Sequence, residues 1–309
     1  MTHNSGPLFP RADTSLEIAF REFVRVTAEY FKDVFPPGAD CERICREFMS
    51  LERAREQLTL VNNAIDGGLR GRRVLEIGAG CGAQLMSAAR DFGAHAVGVE
   101  PGDEEFPANI NLGRAFFASM GMSPTLVDAP GECLPFADNT FDAVFSFNVL
   151  EHVNDPARML SEAVRVLAPG GTAFILAPNY GSFWEGHYSI PWIPHMPRPM
   201  ARLFVKIFRR SPKYVDTLNF VTEGRMKRWL RPHAHCIHIV DWGFNIWAAR
   251  LRTADFSEWA ELRRLKRIVQ LIGRLGLVPM VTALGKLLRW QTPIILVFRK
   301  NNLNGQTPS

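Results

Sequence analysis

The stretch VLEIGAGCG, Val74 to Gly82, constrains this chain more than any other. A short apolar run is followed by glycines at 78, 80 and 82 and then by the helical pattern AQLMSAARDFG. Glycines between a strand and a helix permit positive φ and let the backbone approach a ligand closely. Glu76 stands inside the apolar run, where a charge is costly unless it is paired. The stretch therefore reads as a ligand-binding turn with a carboxylate in need of a cationic partner.

From Arg73 onward short apolar runs alternate with helical segments. AHAVGVEPG, a helix around EFPANINLGRAFFASMG, FDAVFSFNVL, the helix DPARMLSEAVRVLAPGG and TAFILAPN follow in order. This alternation argues an α/β fold with a doubly wound, mostly parallel sheet, whose ligands bind beyond the carboxyl ends of the strands. Residues 1–70 read as an N-terminal helical segment, because SLEIAFREFVRVTAEYF repeats apolar residues near the 3.6 period with Ser15 as a candidate N-cap. A Pro-Pro-Gly break at 36–38 interrupts it, and CERICREFMSLERAREQLTLVNNAID resumes the pattern until Gly67-Gly68.

The core is expected over 71–180, and 181–309 has another texture. Prolines at 191, 194, 197 and 199 and aromatics at 180, 183, 184, 188 and 192 predict a long functional loop, since neither a regular helix nor a central strand tolerates them. Beyond it TEGRMKRWLRP predicts a helix, HCIHIVDWG a strand and SEWAELRRLKRIVQLIGRLG an amphipathic helix. TPIILVFRK then closes the same sheet.

Composition bounds the class. A 47% hydrophobic content excludes disordered and collagen-like chains. Five cysteines, an odd and scattered set, do not form a disulfide framework, and neither a secretory leader pattern nor a membrane-spanning run is evident, so a cytoplasmic protein is expected. The net charge of +5 hides an asymmetry: residues 181–300 hold 21 Lys and Arg against 7 Asp and Glu. That basic back half faces an anionic neighbour or forms a solvated helical surface.

By itself the glycine loop admits two nucleotides. Gly78-x-Gly80-x-x-Ala83 satisfies a dinucleotide pattern as well, and Glu100, 22 residues after Gly78, stands where a ribose-binding carboxylate belongs in either reading. An NAD(P)-dependent Rossmann enzyme is thus the competing reading. Two further blocks separate the alternatives: LPFADNTFDAVFSFNVLEHVNDP, Leu134 to Pro156, and VLAPGGTAFILAPN, Val166 to Asn179. Together with Glu76 and the loop they resemble the class I S-adenosylmethionine-dependent methyltransferases, in particular the group with LPF-x-D-x-x-FD and VLEHV-x-DP blocks. The resemblance covers roughly residues 70 to 180.

It implies a Rossmann-like methyltransferase fold with a seven-stranded sheet, N-terminal helices and a C-terminal helical and aromatic insertion, and S-adenosyl-L-methionine as cofactor. Carried over by position, Glu76 and the backbone of Gly78, Ala79, Gly80 and Gly82 hold the methionine portion, and Glu100, followed by Pro101, accepts the ribose hydroxyls. Glu132 and Cys133 border the adenine, and Asn148 lines the methionine side. Many relatives place an Asp where this chain has Pro130, so the adenine contact is open between Asp128 and Glu132. Asp142, Glu151, His152 and Asp155 are assigned to architecture, with Asp155 capping a helix that begins at Pro156.

Methyl transfer from a sulfonium asks the protein chiefly to position the acceptor and exclude water, and a base helps when the acceptor is a hydroxyl. The segment NYGSFWEGHYSIPWIPHMPRP, Asn179 to Pro199, is the candidate acceptor wall, with His187 as first and Tyr188 as second catalytic candidate. HAHCIH, His233 to His238, does not make a metal site if it is a strand, because its ligand-type residues fall on both faces; no metal is expected. The acceptor is expected to be a small molecule, a sugar or a lipid-linked group for O- or C-methylation. Alternatively, the basic amphipathic segments RPMARLFVKIFRRSPK and 259–275 hold the enzyme at an anionic membrane beside a lipid or quinone substrate. No nucleic acid is expected. A scaffold that keeps the fold without catalysis is the alternative from another class.

Overall fold

Parallel pairing around one central strand decides the arrangement. In this computed structural model β1 (Arg73–Ile77) lies between β2 (His95–Glu100) and β4 (Phe141–Phe147), parallel to both. β3 (Leu126–Asp128) adds outside β2, and β5 (Leu167–Ala177) outside β4. The chain thus builds outward from β1 on one side and returns to its other side at β4, which puts the topological switch between β1 and β4. The described residues are 14–302 except 36–37, 103–106, 124 and 254–262. The proline pair at 36–37 and the start of the helix expected from Ser257 lie outside them.

Helices cover both faces. On one side lie α1 (Thr14–Phe31), α2 (Cys41–Phe48), α3 (Leu51–Ala64), α4 (Ala83–Arg90) and α5 (Pro107–Ser119), with α1 against α5 and α3 against α4. Leu16, Phe20, Leu58 and Val61 bury their apolar stripes there against Val74, Phe145 and Phe174 of the sheet. On the other side α6 (Pro156–Val166) covers Leu75, Ile77, Val144 and Ile175. Strands buried on both faces are largely apolar, which is why β1, β4 and the second half of β5 read as short apolar runs, Glu76 of β1 being the buried exception.

The C-terminal third completes the sheet and caps it. After β5 a small hairpin, β6 (Trp184–Glu185) with β7 (Ile190–Pro191), interrupts what the sequence presents as an irregular loop. Then follow α7 (Arg198–Ile207), α8 (Lys213–Thr217), α9 (Glu223–Leu230), β8 (Ile237–Asp241), α10 (Phe244–Thr253), α11 (Arg263–Arg274), α12 (Val278–Leu288) and β9 (Ile294–Lys300). β9 runs antiparallel beside β5 with β8 at the edge, giving the seven-stranded order β3-β2-β1-β4-β5-β9-β8.

HAHCIH departs from the strand reading. Pro232 sits in a 3-10 turn over Arg231–His233, and the strand begins only at Ile237. His233 meets Ser161 (2.6 Å) and His238 faces Asn301 (3.4 Å), so the run does not converge on one point.

Local chemistry sets the position of α6, whose start carries the loop that leaves β4. Asp155 is extended, accepts from the Arg158 N–H at 3.0 Å and is followed by Pro156 in the first turn. Asp155→Ala should lower stability by about 1 kcal/mol, the usual worth of a capping carboxylate; a urea unfolding curve with unchanged slope and a lower midpoint checks this.

Candidate active site

The glycine turn lies at the switch point. Gly78, Gly80 and Gly82 all have positive φ (75°, 53° and 79°), the region in which only glycine sits without strain. They differ in their surroundings. A Cβ on Gly78 would strike the Val149 side chain, and one on Gly82 would meet the Phe117 ring, whereas a Cβ on Gly80 would meet nothing within 4 Å. Gly78 and Gly82 are therefore set by packing, and Gly80 borders open space at the carboxyl end of β1. Ala79 is buried beneath it, and its N–H and that of Gly78 both donate to the Val99 carbonyl.

Two buried carboxylates flank this turn. Glu76 is 1% exposed, and its Oε2 has no hydrogen-bond partner. Burial, and next the negative charge of Glu100, push its pKa well above the ordinary carboxylate range. Glu100, at the end of β2, accepts from the Gly80 N–H (2.8 Å) and from Asn109 Nδ2 (2.7 Å). Asn109, from the first turns of α5, is a neighbour that the sequence does not advertise: nothing in its spacing marks it.

The remaining sequence candidates separate. Asp128 accepts from the Gly102 N–H (2.8 Å), closing the turn that follows Glu100 and Pro101. Glu132 turns the other way: its Oε1 accepts from the backbone N–H groups of Asn154 (2.7 Å) and Asp155 (3.3 Å), steadying the entry to α6. Cys133 is exposed. Asn148, directly after β4 and before the Val149 that packs on Gly78, is exposed and in the left-handed region (φ 54°), while its N–H donates to the Leu176 carbonyl.

A second constellation forms where the hairpin meets the loop after β4. Glu185 is 2% exposed and gathers three donors: His187 Nδ1 (2.7 Å), the Tyr180 hydroxyl (3.1 Å) and the Tyr188 N–H (2.7 Å). Burial works against charge on Glu185, but His187 outweighs it and holds the carboxyl below its usual range. Burial likewise opposes charge on His187, and Glu185 overrides it and raises the imidazole. Across from His187 stand Glu151 and His152, with His152 Nε2 3.3 Å from His187 Nε2. Burial raises Glu151 to about 7 and lowers His152 to about 3, the latter helped by the charge of His187.

His187 and Tyr188 thus part company. The Tyr188 ring is fully buried, and its hydroxyl donates to the Ser211 carbonyl (2.7 Å). Glu151 and His152, which sequence reasoning assigns to architecture, lie against His187. No sequence signal pairs them, because 35 residues separate the two imidazoles.

Residues 75–175 match the protein family described as methyltransferase domain. An uncharacterised methyltransferase of Mycobacteroides abscessus is 42% identical over 119 residues, which cover 38% of this chain and 44% of that protein. Tocopherol O-methyltransferase of Arabidopsis thaliana is 28% identical over 188 residues, 59% of this chain and 50% of that protein. The chain therefore spans about half the length, or less, of these curated relatives. Among solved structures, phosphoethanolamine N-methyltransferase 2 of Haemonchus contortus in complex with S-adenosyl-L-methionine aligns with a TM-score of 0.50 at 16% identity, over 92% of this chain and 60% of that one. That likeness is one of fold.

Glu76 yields a prediction that needs no ligand. A carboxyl whose pKa is raised on folding binds more protons folded than unfolded, so its contribution to stability falls as pH rises above the ordinary carboxylate value. Glu76→Gln should raise Tm of the ligand-free protein at pH 8 and leave it unchanged near pH 4. Calorimetric scans at both values check this, and equal Tm at pH 8 would show that the buried carboxylate is not a burden.

Proposed function

We propose, on the premise that residues 75–175 are a methyltransferase domain of the S-adenosylmethionine-dependent class I fold, that this protein is an O-methyltransferase using S-adenosyl-L-methionine. One observation carries the cofactor part of this reading, which an oxygen or carbon acceptor shares: a buried carboxylate oxygen without a partner, on Glu76, lies next to a glycine turn whose Gly80 opens on free space. These residues fit the cofactor. Its α-ammonium group gives Glu76 the cationic partner that burial demands, and backbone at Gly78 to Gly82 allows the approach of the methionine portion. Glu100 receives the ribose hydroxyls in place of its present donors, with Pro101 and Asp128 shaping the turn beside it. Cys133 borders the adenine, and Asn148 the methionine side.

The bound cofactor supplies an electrophilic methyl group on a sulfonium. The chain's own part is to seat an acceptor opposite it and keep water out. The wall for this is the segment after β5. Asn179 is anchored through Nδ2 to the carbonyls of Arg289 (2.9 Å) and Gln291 (2.6 Å), and Tyr180 stacks on Phe220 at 4.7 Å. Activation of an acceptor hydroxyl falls to His187 and the Glu151 and His152 side chains facing it, with Glu185 orienting His187 and Tyr188 fixing Glu185 through its N–H.

A lipid-linked acceptor at an anionic membrane surface is favoured by α7 and α12. Met200, Leu203 and Ile207 form one stripe along α7 and are 54%, 66% and 70% exposed, beside Arg202, Lys206, Arg209 and Arg210. Met280, Leu284 and Leu287 do the same on α12. Phe183 and Ile193 are also exposed, and the Phe183 ring packs against Trp290 just beyond α12. No helix among the described residues is long and apolar enough to cross a membrane. Apolar stripes edged with basic residues suit binding in the membrane plane.

Two measurements test these readings. Hydrogen bonds to a charged group contribute roughly 1.5–3 kcal/mol each, so Glu100→Ala should weaken S-adenosylmethionine binding at least about 100-fold in titration calorimetry. Absence of heat with the unaltered chain would favour a scaffold without catalysis. The double substitution Leu203→Glu and Ile207→Glu should lower sedimentation with vesicles containing anionic lipid by about tenfold or more, given roughly 1.5–3 kcal/mol for each buried aliphatic side chain. No binding of the unaltered chain at low salt would remove the membrane surface and leave a soluble acceptor.

A further inference from the structure

Glu151 and His152, on the loop after β4, meet His187, on the turn between β6 and β7, with one ligand-type atom from each within 4.8 Å of the other two. The separations have the dimensions of a coordination sphere. Two imidazole nitrogens bound at about 2.0–2.1 Å to one tetrahedral centre stand roughly 3.3–3.4 Å apart, and the Nε2 atoms of His152 and His187 are 3.3 Å apart. Glu151 Oε1 lies 3.8 Å from His152 Nε2 and 4.0 Å from His187 Nε2. Closing about half an ångström by a carboxylate rotation would complete the set.

Two independent features point to a ligand there. Both oxygens of Glu151 are buried without a hydrogen-bond partner, and the residue is 0% exposed. A buried carboxylate in that state is stabilised by a proton or by a cation brought beside it. The second feature is the support behind His187. Its Nδ1 is held at 2.7 Å by Glu185, which is itself fixed by Tyr180 and Tyr188, so Nε2 is the nitrogen turned toward Glu151 and His152. A carboxylate behind an imidazole is the usual outer support of a metal-binding histidine, since it fixes the tautomer and the ring plane.

We propose that Glu151, His152 and His187 bind one divalent cation of the zinc type, with a fourth position open to the acceptor hydroxyl. Three protein ligands with an open position suit a catalytic rather than a structural site, and the two imidazoles keep 21% and 19% of their side-chain surface exposed. A hydroxyl bound in the fourth position becomes more acidic, and its proton leaves to solvent while its oxygen stays on the cation. This role deepens the acceptor-site reading and rests on it, whereas the binding itself does not.

The test separates the two. The full chain, stripped with a chelator and dialysed against Zn²⁺ or Co²⁺, should hold one cation by elemental analysis, and the Co²⁺ form should show strong visible bands of tetrahedral type. His187→Ala and His152→Ala should each weaken binding by about tenfold or more, with unchanged circular dichroism and unchanged S-adenosylmethionine affinity. His238→Ala, in the HAHCIH run, should leave binding intact. The two histidine variants keep the test decisive if Glu151→Gln does not fold. No stoichiometric binding, or binding that ignores both substitutions, overturns the site and leaves a hydrogen-bonded imidazole pair. Undiminished methyl transfer by the stripped chain overturns the activating role. Cation binding at the trio without methyl transfer to any acceptor upholds the site and counts against the methyltransferase reading.

Discussion

Burial of carboxylates is the constraint on which this site depends. Glu76, Glu100, Glu151 and Glu185 are all nearly or fully enclosed, and an enclosed carboxylate must find donors, a cation or a proton. Glu100 and Glu185 find donors within the chain, from Gly80, Asn109, His187, Tyr180 and Tyr188. Glu76 and Glu151 keep buried oxygens without a partner. The satisfied pair holds the framework in shape, and the unsatisfied pair marks where ligands of positive charge would be stabilised most.

The fold supplies two rigid walls for this arrangement. One is the junction of β1 and α4, where Gly78 packs under Val149 and so ties the glycine turn to the loop after β4. The other is an aromatic cluster of its own, separate from the sheet's two cores, in which Tyr180, Trp192, Tyr214 and Phe220 are packed with Val34 beyond α1. Asn219 joins the walls: its N–H donates to the Glu151 carbonyl at 2.7 Å and its Nδ2 to the Val153 carbonyl at 2.6 Å. The loop that carries Glu151 and His152 is thus held from both sides, which keeps the two imidazoles at a set separation.

The antiparallel β9 has a part in this that its place in the chain does not suggest. It pairs along β5 from Thr172 to Ala177, and the residues just before it, Arg289 to Gln291, receive the side chains of Asn179 and Ser182. The segment after β5, proposed as the acceptor wall, is therefore anchored by residues more than a hundred positions later. Helices α7 and α12, which present apolar stripes outward, pack in two separate clusters, α7 against Tyr180 and Trp192 and α12 against Trp247 and Trp290.

Much of the core was legible because its signals are local. A glycine turn between apolar strand and helix, short strands alternating with helices, and Asp155 before Pro156 each follow from backbone freedom, periodicity and capping within a few residues. The carboxylate inside β1 stood out for the same reason, since a charge in an apolar run is costly wherever the strand packs. The strand that begins within HAHCIH was legible, but its start was placed two residues early, because the turn over Arg231–His233 carries on through Ala234 to Cys236 before the chain extends at Ile237. The tertiary structure alone decided that Glu151 and His152 meet His187, that Asn109 reaches Glu100, and that Glu132 turns to the start of α6. Such meetings depend on how separate elements are stacked, and no periodicity along the chain encodes the distance between side chains brought together only by packing.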